Sequence, residues 1–315
     1  MNRILFVTDI HGSDKLFYKM LNGCKIYNAN IIIVGGDIAG KTLIPIFLNN
    51  GKYIMNVDGQ EKTIESKEEL DHIVKDARSR GDYPYITTKV EWEELINQRE
   101  RLDAIFERLI EENISGWCKL AEERLKPLSA RLIMNTGNDD PVQLGSIIES
   151  SGFVEYPNEK VIELDQHHEL LSLGYSNITP WKLPGDLSEE ELGNRIDKLV
   201  SYTRDVKNAL FNIHVPPFNT HLDLAPKLDE QLRPKLSPGG EPEFVHVGSS
   251  AVRDAIERYQ PLAGLHGHIH ESRGYTKIGR THCFNPGSEY SIGVLKGLLL
   301  NLSQEKIESH IFTSG

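Results

Sequence analysis

Short apolar runs recur along this chain, at Ile4–Val7, Ile31–Val34, Arg131–Asn135, Val161–Leu164, Leu210–His214, Pro261–Leu265 and Val294–Asn301. Runs of this length without regular polar alternation read as strands covered on both faces. Between the first two, Lys15–Leu21 has helical spacing, so the chain opens as strand, helix, strand. This pattern predicts an α/β fold.

The stretch 50–90 has a different character and reads as an inserted cap. Lys52–Val57 and Gln60–Ile64 flank Asp58-Gly59, a dipeptide suited to a two-residue hairpin turn, and Ser66-x-x-Glu69 forms a capping box. From Glu91 to Leu125, residues such as Trp92, Leu95, Ile96, Phe106, Ile110 and Ile114 keep the spacing of an amphipathic helix, which Gly116 is expected to break. Another helix is expected from Ser188, with Glu191 in capping-box position. Six prolines from Pro216 to Pro242, with Gly239-Gly240, mark an irregular stretch read as a mobile loop. No internal repeat is visible, and the expected organisation is a single domain over 1–315 with the insert inside it.

Composition narrows the function. With 35 Lys+Arg against 46 Asp+Glu the net charge is −11, which opposes sequence-blind nucleic-acid binding because that mode needs a basic footprint. The segment 61–126 holds 17 acidic and 12 basic residues, so it is no nucleic-acid clamp either. Cys24, Cys118 and Cys283 are too few and too widely spaced for a disulfide framework or a Cys-x-x-Cys zinc site, which suggests a reducing, cytoplasmic compartment. No apolar stretch approaches the roughly 20 residues of a membrane span. The first apolar run stops at Thr8 and Asp9, short of a signal-peptide core.

The chemistry gathers where strands end. Asp9-Ile10-His11-Gly12, Gly35-Gly36-Asp37, Gly137-Asn138-Asp139-Asp140, His214 and His266-Gly267-His268-Ile269-His270 each follow an apolar run. Loops beyond the carboxyl ends of strands form the ligand crevice of open α/β sheets. Oxygen and imidazole ligands without thiolate suit Mn, Fe, Zn or Co. They outnumber the places on one tetrahedral ion and fit two ions sharing a carboxylate.

In this order, Asp9-x-His11, Gly36-Asp37, Gly137-Asn138, His214 and Gly267-His268-x-His270 resemble the motifs of the calcineurin-like metallophosphoesterase family. Asn285-Pro286-Gly287-Ser288 resembles a segment that follows the last ligand loop in small phosphodiesterase-like members. The resemblance implies a four-layer α/β/β/α sandwich of two mixed sheets, and hydrolysis of a small phosphate ester by a metal-bridging hydroxide. It implies two divalent or trivalent transition-metal ions, one held by Asp9, His11, Asp37 and His270, the other by Asp37, Asn138, His214 and His268. In the family the motif after the third strand usually reads Gly-Asn-His-Asp/Glu, and here Asp139 replaces that histidine. An ionised carboxylate cannot donate a proton and repels a phosphoryl oxygen. The expectation is therefore a preference for phosphodiesters or good leaving groups, with Asp139 a candidate catalytic acid where burial raises its pKa. The bland alternative is that Asp139 and Asp140 cap a helix or orient a histidine. His266 is expected to orient a neighbour. A non-catalytic interaction scaffold on the same fold and a nuclease are the rival functions, opposed by the complete ligand set and the acidic charge respectively.

Overall fold

The computed structural model describes residues 2–57 and 59–315, so Asp58, half of the expected hairpin turn, lies outside the described residues. The apolar runs become the centres of two mixed sheets. In the first, Asn2–Val7 pairs in parallel with Ile31–Val34, which pairs with Arg131–Met134. On its other side Asn2–Val7 meets Lys296–Leu302 antiparallel, and Ile307–Ser314 forms the edge. In the second sheet Glu169–Leu173, Leu210–Ile213, Ala263–Leu265 and Thr281–Asn285 run parallel, between antiparallel edges Lys160–Glu163 and Gly274–Ile278.

Side-chain alternation sorts each strand between two cores. Ile4, Phe6, Ile31, Ile33 and Ile133 meet Leu170, Leu210, Leu265 and Phe284 between the sheets. Leu5, Val7, Ile32, Val34 and Leu132 pack with helices Asp14–Ile26 and Arg99–Leu125. Leu171, Leu173, Phe211 and Ile213 pack with helices Glu189–Val200 and Ser250–Tyr259. The result is the expected four-layer α/β/β/α sandwich, and strands buried on both faces explain the continuous apolar runs. At their carboxyl ends the seam between the sheets turns polar, with Asn135, Ser172 and Asn212 fully buried and Asn212 Nδ2 donating to Ser172 Oγ at 3.2 Å.

Several expectations are refined. Ser13, Ser66 and Ser188 each cap a helix by accepting the N–H three residues on. The insert is larger than 50–90 suggests. It starts at Thr42, and the strands Gln60–Ile64, Lys52–Val57, Thr42–Asn49 and Asp82–Thr87 form a sheet in that order, with helix Lys67–Ser79. Its own small core is Ile46, Met55, Ile64 and Leu70. The Pro-rich stretch is a hydrogen-bonded arm in which Leu224–Pro226 pairs with Phe244–His246 and the backbones of Lys227, Lys235 and Glu243 bond one another. Among the described residues, no helix is long and apolar enough to cross a membrane. All three cysteines are buried free thiols.

The helix break expected at Gly116 falls instead at Gln98, with φ −120° and ψ 71°, between helices Lys89–Asn97 and Arg99–Leu125. A mid-helix glycine costs only about 1 kcal/mol relative to alanine. That is too little to end a helix whose Ile110, Ile114, Trp117 and Ala121 are buried. Gly116 is exposed, and a Cβ added there meets nothing within 4 Å. Gly116→Ala is expected to stabilise the protein by about 0.5–1 kcal/mol, read as a raised urea midpoint with unchanged slope. A destabilised variant would contradict the uninterrupted helix.

Candidate metal centre

Five strand ends meet at one edge of the sandwich. The first two loops prolong the pairing of their strands: Asp9 N donates to Gly36 O at 3.0 Å, His11 N to Asp37 O at 3.0 Å, and Gly12 N to Ile38 O at 2.7 Å. Within the second sheet Gly267 N donates to His214 O at 2.9 Å, and the two sheets are joined by His268 N, 3.1 Å from each carboxylate oxygen of Asp9. Asp9, His11, Asp37 and His268 all have left-handed backbones, with φ of 53°, 41°, 50° and 66°. Non-glycine residues rarely adopt this region, and each costs on the order of 1–3 kcal/mol unless its surroundings impose it. Gly137 and Gly267 serve the same convergence: a Cβ at Gly137 would overlap Asp37, and one at Gly267 would overlap Thr8 and Asp9.

Six of the seven expected ligands gather in two groups here, and Asn138 lies in the loop beside Asp37. Ligand atoms of Asp9, His11 and His270 lie within 4.8 Å of one another, as do those of Asp37, His214 and His268. His270 Nε2 is 3.3 Å from Asp9 Oδ1 and 3.1 Å from His11 Nε2. Asp37 faces both groups, with Oδ2 3.8 Å from His11 Nε2 and Oδ1 3.4 Å from His214 Nε2. Asn138 commits its amide nitrogen to Asp186 Oδ1 at 2.9 Å, while Thr179 and the Leu183 N–H hold Asp186 Oδ2.

These donors fit transition-metal ions. Asn138 Oδ1 and His214 Nε2, the ring nitrogen that faces Asp9 and Asp37, are buried without a hydrogen-bond partner among the described residues. Buried lone pairs without donors are costly, and a cation relieves that cost. The set is all oxygen and nitrogen, as manganese, iron, zinc and cobalt accept.

Electrostatics shows the same need for positive charge. Burial opposes ionisation of Asp9, yet the hydrogen bond from His270 and the charge of His214 hold its carboxyl below the usual range. Burial likewise opposes Asp37, and His214 outweighs it. Burial disfavours His214 as a cation, but Asp37 and then Asp9 push its pKa up to about 9. Burial lowers His11 to about 3 and His268 to about 4. A proton on His214 thus supplies charge that a metal ion also supplies.

The residues around these ligands revise several expectations. Asp139 forms an ion pair with Lys41, so it does not stand as a lone, desolvated acid. The repulsion expected of an unpaired carboxylate is offset there. Asp140 caps no helix and orients no histidine. Buried, it accepts N–H bonds from Ile38 at 3.0 Å, Ala39 at 2.8 Å and Gly137 at 2.7 Å, tying the Asp37 loop to the Asn138 loop. Burial and then Asp37 raise its pKa to about 7. His266 Nδ1 is 2.8 Å from Ile213 O, the backbone just before His214. Asn285 Nδ2 donates to Ile269 O at 2.9 Å, and Ser288 Oγ to Asp9 O at 2.7 Å, so that segment clamps two ligand loops. Sequence reasoning missed Lys41, Asp186 and Tyr290, whose ring lies 4.5 Å from that of His11. It placed Ser176 only in a crevice wall, whereas Ser176 Oγ is 3.2 Å from His268 Nε2.

No family model matches the chain. It is similar to the uncharacterized protein MJ1162 of Methanocaldococcus jannaschii, 32% identical over 168 residues, 52% of this chain and 68% of the relative. Among solved structures, TT1561 of Thermus thermophilus aligns over 100% of this chain and 98% of that one, with TM-score 0.51 and 12% identity. Another crystal structure aligns over 98% and 97%, with TM-score 0.54 and 16% identity. These two structural likenesses concern the fold.

After chelation, stability is expected to fall as pH rises from about 6.5 to about 9. Folded His214 keeps a proton that the unfolded residue has lost, so its contribution is full below 6.5, on the order of 3 kcal/mol, and vanishes above 9. With Mn²⁺ or Zn²⁺ added, binding requires neutral imidazole, and stability is expected to rise over the same range. Urea titrations with and without metal check this. A chelated protein equally stable at both ends would exclude His214 as the buried cation.

Proposed function

We propose that this chain, which belongs to the same family as the uncharacterized archaeal protein MJ1162, is a metal-dependent phosphoester hydrolase that prefers small phosphodiesters. One observation carries the reading: the two oxygens of Asp37 face different histidines, 3.8 Å from His11 and 3.4 Å from His214. A carboxylate placed between two ligand groups is suited to sharing by two cations. Asp9, His11, Asp37 and His270 would hold one, and Asp37, Asn138, His214 and His268 the other. Such ions, when bound, lower the pKa of water and offset charge on a phosphoryl group. The motif order, which resembles that of calcineurin-like metallophosphoesterases, supports the same reaction class.

In hydrolysis the water gives a proton to solvent and its oxygen bonds to phosphorus while the ester P–O bond opposite breaks; the leaving oxygen takes the electron pair and is protonated by solvent. The chain's own part is mainly to position. Asp186 takes the amide nitrogen of Asn138 and so presents its oxygen. The amide of His268 and the Thr8 hydroxyl, 2.7 Å from Asp9 Oδ2, fix the Asp9 carboxylate. A cleft of about 440 Å³ beside His270, lined by Arg273, Ser288 and Lys296 among others, gives room for the unreacting part of an ester. Asp139 is engaged with Lys41, which favours substrates whose leaving oxygen departs without a proton.

The purified protein is expected to carry about two metal equivalents by elemental analysis and to hydrolyse bis(4-nitrophenyl) phosphate with a higher kcat/KM than 4-nitrophenyl phosphate. Activity should vanish on chelation and return with Mn²⁺. Asp37→Asn should lower metal content and cost at least ~10²-fold in kcat/KM. A folded protein that stays metal-free when saturated with Mn²⁺ and Zn²⁺ would sink the proposal. Faster monoester cleavage would remove only the diester preference.

A further inference from the structure

We infer that Tyr290 closes the solvent side of the ion position formed by Asp9, His11 and His270, and makes that ion the slower of the two to exchange. The inference deepens the hydrolase reading and rests on its two ions. The ring of Tyr290 lies 4.5 Å from that of His11, tilted by 51°, and 5.8 Å from that of His270, near perpendicular at 88°. One aromatic side chain thus flanks both imidazoles of this group. Tyr290 also packs against the apolar cluster that contains Ile10 and Leu295. Beside the second group, Asp37, His214 and His268, the neighbour is small and polar: Ser176 Oγ, 3.2 Å from His268 Nε2. Each group offers a carboxylate and two imidazoles, so the two positions differ in cover more than in donors.

The ring is mounted on the loops it covers. Ser288 N donates to His270 O at 3.1 Å and Ser288 Oγ to Asp9 O at 2.7 Å, so the chain departs from both ligand loops just before Tyr290. Tyr290 opens the single turn Tyr290–Ile292, and Gly293 O just beyond it accepts from Lys19 Nζ at 2.8 Å. Leu295 then exchanges both backbone hydrogen bonds with Gly315. Both ends of the turn are held, and ring and imidazoles keep their relation. His11 is 1% exposed and His270 27%, so the open approach to this position runs past His270. An ion leaves as water replaces its ligands one by one, and an apolar ring on that approach limits both the entry of water and the turning of the imidazoles.

The test loads the full chain with Mn²⁺, adds excess chelator and follows metal release with time. Wild type is expected to give up about one equivalent quickly and about one slowly. Tyr290→Ala should speed the slow phase ~10- to 100-fold and leave the fast phase within about threefold. Tyr290→Phe, which keeps the ring, should stay within about threefold of wild type in both phases. Release from wild type in a single phase would overturn the inference, whether or not Tyr290→Ala folds. So would a slow phase unchanged within about twofold in Tyr290→Ala, or an equal acceleration of both phases, which marks general loosening. Release from Tyr290→Phe as fast as from Tyr290→Ala would also overturn it, assigning the effect to the hydroxyl. Any of these in a protein that still cleaves bis(4-nitrophenyl) phosphate leaves the hydrolase reading standing. The expected phases in a protein that cleaves no ester fail that reading alone, and a protein that takes up no ion fails both.

Discussion

Two carboxylates buried together, Asp9 and Asp37, set the terms for what surrounds them. Like charges in a medium of low dielectric repel strongly, and each loses its hydration on burial. Such a pair persists only where positive partners and N–H dipoles close around it. The imidazoles of His214 and His270 do so from the second sheet, and the amides of His268 and Asp139 add hydrogen bonds. The left-handed backbones at four of these positions are the local cost of bringing so many polar groups to one point. Two face-to-face sheets meet that demand because their parallel strands deliver short loops to a common edge.

This geometry explains what could be read from sequence. The central strands were legible because burial on both faces leaves unbroken apolar runs, as in Ile31–Val34. The edge strand Ile307–Ser314, which is half exposed and mixes Glu308, Ser309 and His310 with apolar residues, has no such signature. The clustered histidines and carboxylates were legible because each lies close beyond a legible strand. Lys41, Asp186 and Tyr290 were not, because they reach the centre from segments whose local sequence looks like ordinary surface. Asp186 approaches only because the backbone of Gly185 packs on Asn138. The Gly116 reading failed for a related reason: a local propensity of about 1 kcal/mol gave way to the burial of one helix face.

The insert changes in meaning between sequence and structure. As a hairpin and helix it looked like a cap laid over a finished domain. As a four-stranded sheet starting at Thr42 it is continuous with the loop that carries Asp37, and Tyr83 reaches back to hold Gly40. Its attachment is therefore part of the mouth of the site, and changes in the sheet can alter the rim while the clustered histidines and carboxylates stay in place.

The clasp between Asp9 and the amide of His268 spans 259 positions of the chain. During synthesis on the ribosome, Asp9, His11 and Asp37 emerge early, but the partners that complete their surroundings are still untranslated. Such distant closure is slow and late in folding. A cation that needs both clusters would therefore wait until His268 and His270 have been made.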